Sequence, residues 1–281
     1  MPVNATGIDV RVDTAGRIAV DLRHGPMQAR RVRASGGVVR VALIAGQALL
    51  LAGDAVRIEV SVVGPVTVEI IEPAGTVAYD MRGTPDPTAR WDVAVRARDG
   101  ARVMWFSEPF VVADGADVGR TTTVDVDATS VVALRETLVL GRTGERGGRL
   151  RTHTRAVRDA VPALVEDLDL DPATRGGWAV LGPNRCLDSW TVIGERLPDR
   201  PDTLQLDQLG SVQRWLGTRV HASPLDAPTA APATHREAPA PHAHHSTVED
   251  DMHSPTLSRT SSALPPRPAP RIPPAASTPT A

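Results

Sequence analysis

Apolar and polar residues alternate along most of the first 170 positions. In residues 8–22, Ile8, Val10 and Val12 are separated by single residues, a turn composition follows at 13–16, and Ile18, Val20 and Leu22 resume the alternation. This is a β-hairpin signature, because successive side chains of a strand point to opposite faces. Breaks at His24-Gly25-Pro26 and Ser35-Gly36-Gly37 lead into residues 38–41, and period two returns over 55–62 and, after Gly64-Pro65, over 66–70. Further short strands are predicted at 76–79, 91–96, 102–106, 109–112, 120–126, 131–140, 149–158 and 164–170, the last with Leu164, Glu166, Leu168 and Leu170 on one face. Short strands at even spacing, punctuated by Gly and Pro, predict an all-β fold.

One stretch reads differently. In residues 208–220, Ser211 stands where an N-cap would, and Val212, Trp215, Leu216 and Arg219 fall at helical spacing, so one or two short helices are expected near the C-terminal end of the fold. After His221 the composition changes: about half of the prolines fall in the last sixty residues, among Ala, Ser, Thr and His and almost no large apolar side chain. Such a segment buries too little surface to offset its ordering entropy. The expected organisation is a β domain over 1–221 and a disordered tail over 222–281.

Composition sharpens this picture. The chain is 41% hydrophobic but only 3% aromatic, so its core must be aliphatic, and a net charge of -2 gives no reason to expect nucleic acid as a partner. All 31 basic residues are arginine. Without lysine, a Walker A phosphate loop and Schiff-base chemistry are both excluded. The lone Cys186 is expected to be a small buried residue and forms no internal disulfide. No basic segment followed by an apolar run opens the chain, and the longest apolar run, 41–52, is interrupted by Gly46 and Gln47 and falls short of the roughly 20 residues a spanning helix needs. A soluble cytoplasmic protein with no membrane partner is the expectation.

Few motifs carry chemistry. Asp167, Asp169 and Asp171 have the start of a calcium-loop spacing, but Pro172 stands where the loop needs Gly and Trp178 where it needs a bidentate Glu. There is no G-x-S-x-G or H-E-x-x-H, and His153 sits in an alternating strand as a surface residue. In the tail, His242, His244 and His245 near Glu249, Asp250 and Asp251 are candidates for loose binding of nickel or another divalent ion. The most informative stretch is 136–145, a strand running into a glycine turn. Gly141, Gly144, Gly147 and Gly148 allow the reversal, Glu136, Arg142 and Glu145 are expected in one small region, and Arg142 is expected to pair with one of the glutamates. Two readings of function stay open on these residues alone: an all-β interaction module, or acid–base work on a sugar by Glu136 and Glu145.

Four motifs in order, Leu50-Leu-Ala-Gly-Asp54, Glu72-Pro-Ala-Gly-Thr-Val-Ala-Tyr79, Phe106-Ser-Glu-Pro109 and Glu136 followed by Leu140-Gly-Arg-x-Gly-Glu145, resemble the urease accessory proteins of the UreD class, also called UreH. The resemblance implies an extended two-layer β fold of helical type and no enzymatic activity. It further implies a complex with a UreF-class protein and a UreG-class GTPase, docking on urease apoprotein, and delivery of nickel that is held only in transit, with no resident cofactor. The candidates it offers to line a nickel route are Asp54, Glu72, Glu108, Glu136, Glu145 and Glu166, with Gly141, Arg142 and Gly144 as structural residues of the turn.

Overall fold

The computed structural model describes residues 5–32 and 37–225, all within the first of two units, residues 1–230. Nearly every element is a strand. One sheet has seven strands in the order β14 (Val161–Leu170), β13 (Arg149–Arg158), β11 (Asp117–Val126), β8 (Ala89–Arg98), β5 (Ala55–Val63), β1 (Thr6–Val12) and β2 (Ile18–Arg23). The second follows the path β16 (Thr203–Gln205), β17 (Gly210–Gly217), β15 (Cys186–Ile193), β12 (Val131–Leu140), β9 (Arg102–Phe106), β6 (Thr67–Ile71), β4 (Val38–Ala45) and β3 (Met27–Val32), with the short β10 (Phe110–Val112) and β7 (Thr76–Ala78) paired beside the end of β12.

From β4 to β13 the chain crosses between the sheets and lays down parallel strands in each: β5, β8, β11 and β13 in the first, β4, β6, β9 and β12 in the second. A parallel pair needs a crossover connection. Here the strand in the opposite sheet is that connection, which gives stacked coils of solenoid type. Antiparallel pairs finish the stack: β1 with β2, β3 with β4, β13 with β14, and β12 with β15. Between the layers lies the aliphatic core foreseen from composition, including Ile8, Ile58, Val60, Val95, Val41, Val68, Ile70 and Val132.

The helix expected near 208–220 is a strand. Residues Gly210–Gly217 form β17, paired antiparallel with both β15 and β16, and the nearest approach to a helix is the single 3-10 turn Val220–Ala222. The misleading spacing has a physical origin. β17 packs on both faces, Val212 into the main core and Trp215 against a second cluster of Met104, Ala133, Trp190, Val192 and Leu225. Two apolar residues on opposite faces of a strand are separated by an odd number, and three also fits a helix. For the same reason β15 was not foreseen: all eight of its residues are buried, so CLDSWTVI shows no alternation. β3 and β16 were also unforeseen, one rich in arginine and the other only three residues long.

The second cluster lies outside the main interlayer core. Its cover includes the segment after β17, where Leu225 is buried and the Ser223 hydroxyl donates to Asp188, itself fully buried and held by Arg135 and Thr137. Among the described residues, no helix is long and apolar enough to cross a membrane. His242, His244 and His245 lie outside the described residues.

Candidate functional site

The second sheet breaks at one level. One residue beyond the aligned pairs Ile71 with Phe106 and Phe106 with Arg135 come Glu72, Ser107 and Glu136. Pairing resumes only where Thr76, Phe110 and Leu138 align. Between these levels Glu72-Pro73-Ala74-Gly75 and Ser107-Glu108-Pro109 leave the ladder, while β12 runs through. Proline explains the interruption, since it has no N–H to give a neighbour. Gly75 is required because a Cβ there would stand 2.7 Å from the Pro109 carbonyl oxygen. Two of the four sequence motifs are thus the same structural step in successive coils.

Arg120 reaches this break from β11 in the opposite sheet. It is 8% exposed, and its Nη2 lies 2.7 Å from Glu136 Oε1, which also accepts from the Thr122 hydroxyl at 3.2 Å. The guanidinium sits 4.9 Å over the Phe110 ring, and Phe110 meets Trp91 edge to face. Glu72, 7% exposed, accepts from Trp105 Nε1 at 2.8 Å. Burial raises the Glu72 carboxyl above its usual range; the Trp105 and Ser107 hydrogen bonds, the Arg120 charge and the Glu108 N–H oppose the shift without cancelling it. The result is a cluster of one buried carboxylate, Glu72, and one partly buried carboxylate, Glu136, around the buried Arg120. Arg120 Nε has no hydrogen-bond partner among the described residues, so the cation is held with donor capacity to spare.

The glycine turn is a separate construction at the edge of the layers. Gly141, Gly144 and Gly147 all have φ near +85°, the left-handed region that glycine occupies without penalty. A Cβ on Gly141 would lie 2.7 Å from the Gly147 nitrogen, so the two strands of the turn touch through their backbones. Arg142 pairs with Glu145, Nε to Oε1 at 2.8 Å, and Glu145 Oε2 accepts the Arg142 and Asp114 N–H groups. These bonds hold the partly buried Glu145 carboxyl down at about 2. Two arginines clamp the turn by its carbonyls: Arg175 donates to those of Arg146, Gly147 and Gly148, and Arg185 to those of Gly141 and Arg142.

The expected meeting of Glu136, Arg142 and Glu145 therefore divides in two. Arg142 and Glu145 pair in the turn, whereas Glu136 turns inward to Arg120. Five residues of strand, roughly 16 Å at the usual rise, run from Glu136 to Gly141 beside the turn. Paired glycosidase carboxylates stand within about 10 Å of each other, so these two do not form that couple. Of the other candidates, Glu108 is exposed and joins the break through its backbone; Asp54 accepts the Leu51 N–H in the turn before β5. Glu166 makes a two-point pair with Arg214, tying β14 of one sheet to β17 of the other. No group of three or more His, Cys, Asp and Glu side chains is arranged to hold a metal among the described residues. His153 pairs with Asp167 at the surface and Cys186 is buried, which pushes its thiol up.

Sequence reasoning missed Arg120, although a signal was present. In β11 the residues Val118, Arg120, Thr122, Val124 and Val126 share the buried face, so an arginine stood in the middle of a core-facing row. The clamps Arg175 and Arg185 carry no such mark, because their loop has no period.

Comparison with known proteins agrees in extent with this architecture. The family model described as "UreD urease accessory protein" matches residues 7–234. Urease accessory protein UreD 1 of Streptomyces griseus is 43% identical over 212 residues, covering 74% of this chain and 82% of the relative. Urease accessory protein UreD 2 of Saccharopolyspora erythraea is 32% identical over 220 residues, 75% of this chain and 76% of its own. Urease accessory protein UreD of Streptomyces avermitilis is 31% identical over 180 residues, with 63% and 71% covered.

Proposed function

We propose, because this chain belongs to the UreD family of urease accessory proteins, that it is a non-catalytic maturation component that docks on urease apoprotein and gives nickel a sheltered passage toward the active site. UreF-class and UreG-class proteins complete the complex, the GTPase supplying the nucleotide hydrolysis for which this lysine-free chain has no Walker A lysine. The setting is the cytoplasm, where a lone buried thiol such as Cys186 stays reduced. Family membership sets aside an interaction module unrelated to urease.

The observation that supports passage is the largely buried cluster at the sheet break. Glu72 and Glu136 offer oxygen donors between the layers, and Arg120 balances their charge. Nickel is the cargo here. Carboxylate oxygens hold such an ion more weakly than thiolates or several imidazoles, and a cation entering must compete with the guanidinium, so it is passed on rather than kept. Glu108, at the mouth of the same break, and Glu145, Asp54 and Glu166 along the layer edges are the further carboxylates of the reading.

Disrupting the gene and measuring urea hydrolysis in cells given excess nickel tests the function; activity should collapse, and normal activity would sink the proposal. Within the protein, E72Q and E136Q should fold yet lower urease activation severalfold, while E195Q, which alters only the tie to Arg102, should leave activation near wild type. Equal losses for all three would show that fold support alone is being read.

A further inference from the structure

Trp178 is 95% exposed in a protein with five tryptophans, of which Trp91, Trp105 and Trp190 are buried and Trp215 is packed in the second cluster. A tryptophan left in water forgoes burial of roughly 200 Å² of largely apolar surface. The loop that carries it is fixed at its base. Leu181 and Arg175 are buried under it, and its turns close through backbone bonds from Arg175 to Asp171, Gly177 to Thr174, Leu181 to Arg175 and Gly182 to Gly177. Arg175 and Arg185, at either end of the exposed stretch, also grip the glycine turn by its carbonyls, so loop and turn form one body. Trp178 is thus displayed on a rigid mount, which lowers the ordering cost of binding through it.

The mount is basic. Although the whole chain carries a net charge of -2, residues 141–149 and 171–185 hold Arg142, Arg146, Arg149, Arg175 and Arg185 against only Glu145 and Asp171. Arg142 and Arg149 are ion-paired. Arg146 and Arg185 give their hydrogen bonds to carbonyls, Arg146 to that of Pro172, and leave their charge to a partner, while Arg175 is buried beneath them.

We propose that Trp178 anchors a protein-docking surface whose partner presents an apolar pocket rimmed by carboxylates. Aromatic anchors ringed by arginine are the composition of interface hot spots. A bilayer is the poorer fit, because the loop adds only Val180 as a second exposed large apolar side chain and interfacial binding needs a broad apolar face. The proposal rests on the docking role inferred above and supplies the contact surface for it, with urease apoprotein as the probe.

The test titrates the full chain with purified urease apoprotein. Wild-type Trp178 should become shielded from acrylamide quenching in the complex. W178A should weaken Kd by about 30-fold or more, equivalent to ~2 kcal/mol, with unchanged Tm; W178F should recover part of the loss. R146E should slow association, and added salt should shrink that difference. If the wild type binds and W178A binds equally well, this inference falls and the docking role stands. If the wild type leaves the apoprotein unbound, both fall. Shielding of Trp178 by phosphatidylserine and phosphatidylcholine vesicles, or by raising the chain's own concentration, with no shielding by the apoprotein, would also overturn it.

Discussion

An arginine between packed sheets is tolerated only while carboxylates accept its charge. R120L would leave Glu136 and Glu72 facing each other's field with no cation, and breaking a buried pair in this way costs about 3–5 kcal/mol. For a domain of this size that is a Tm drop on the order of 10 °C, and R120L/E136L should regain part of it. Glu72 adds a pH dependence of opposite sense to most carboxylates. Its folded value is raised above the ordinary 4.5, so the folded state favours the protonated form, and that contribution is present at low pH and is lost as pH rises through the folded value. Urea melts from about pH 4 to pH 7 should therefore show E72Q gaining stability relative to wild type as pH rises; a constant difference would refute the assignment.

At the scale of the element, the glycine turn behaves as a built joint. G141A places a Cβ at φ +85° and against the Gly147 nitrogen, with an expected loss of about 2 kcal/mol or more, read as a lower urea midpoint. G144A has the same strained φ but open space around it, and should cost less. Glu145, held near 2, stabilises the turn above its ordinary value of 4.5 and ceases to as pH falls toward 2; E145Q should remove that acid-side loss. Strands with one wet face, such as β5, β8 and β11, were legible from period two. β15 and β17 were not, because both of their faces are covered and the alternation that marks a strand is then absent.

For the whole molecule, coils stacked in register turn short motifs into one site. Glu72 and Glu136 are 64 positions apart in sequence, yet the parallel ladders put them on either side of Ser107. The end of the fold is equally specific. A chain ended after Leu225 keeps the Ser223 bond to Asp188 and the place of Leu225 in the second cluster, and should melt as the full chain does. Ending it after Val220 uncovers both and should cost about 3 kcal/mol, within the range for emptying a buried leucine site. The same pair, titrated with nickel alongside the full chain, tests the tail histidines His242, His244 and His245, since any binding they carry should be lost after Leu225 with no change in Tm.

The all-β class, most of the strands, the aliphatic core and the positions of the four motifs were all present in the sequence, because a half-buried strand writes its two faces as alternation and a sharp turn writes itself as glycine and proline. Only the tertiary structure decided which charges meet. Ion pairs such as Arg120 with Glu136 and carbonyl clamps such as those of Arg175 and Arg185 depend on the register between coils and on which loop folds back over which turn, and neither leaves a local period to read. In 136–145 the local alternation and glycine spacing placed strand and turn correctly, while the partner of each carboxylate was chosen by whatever the facing layer put opposite it.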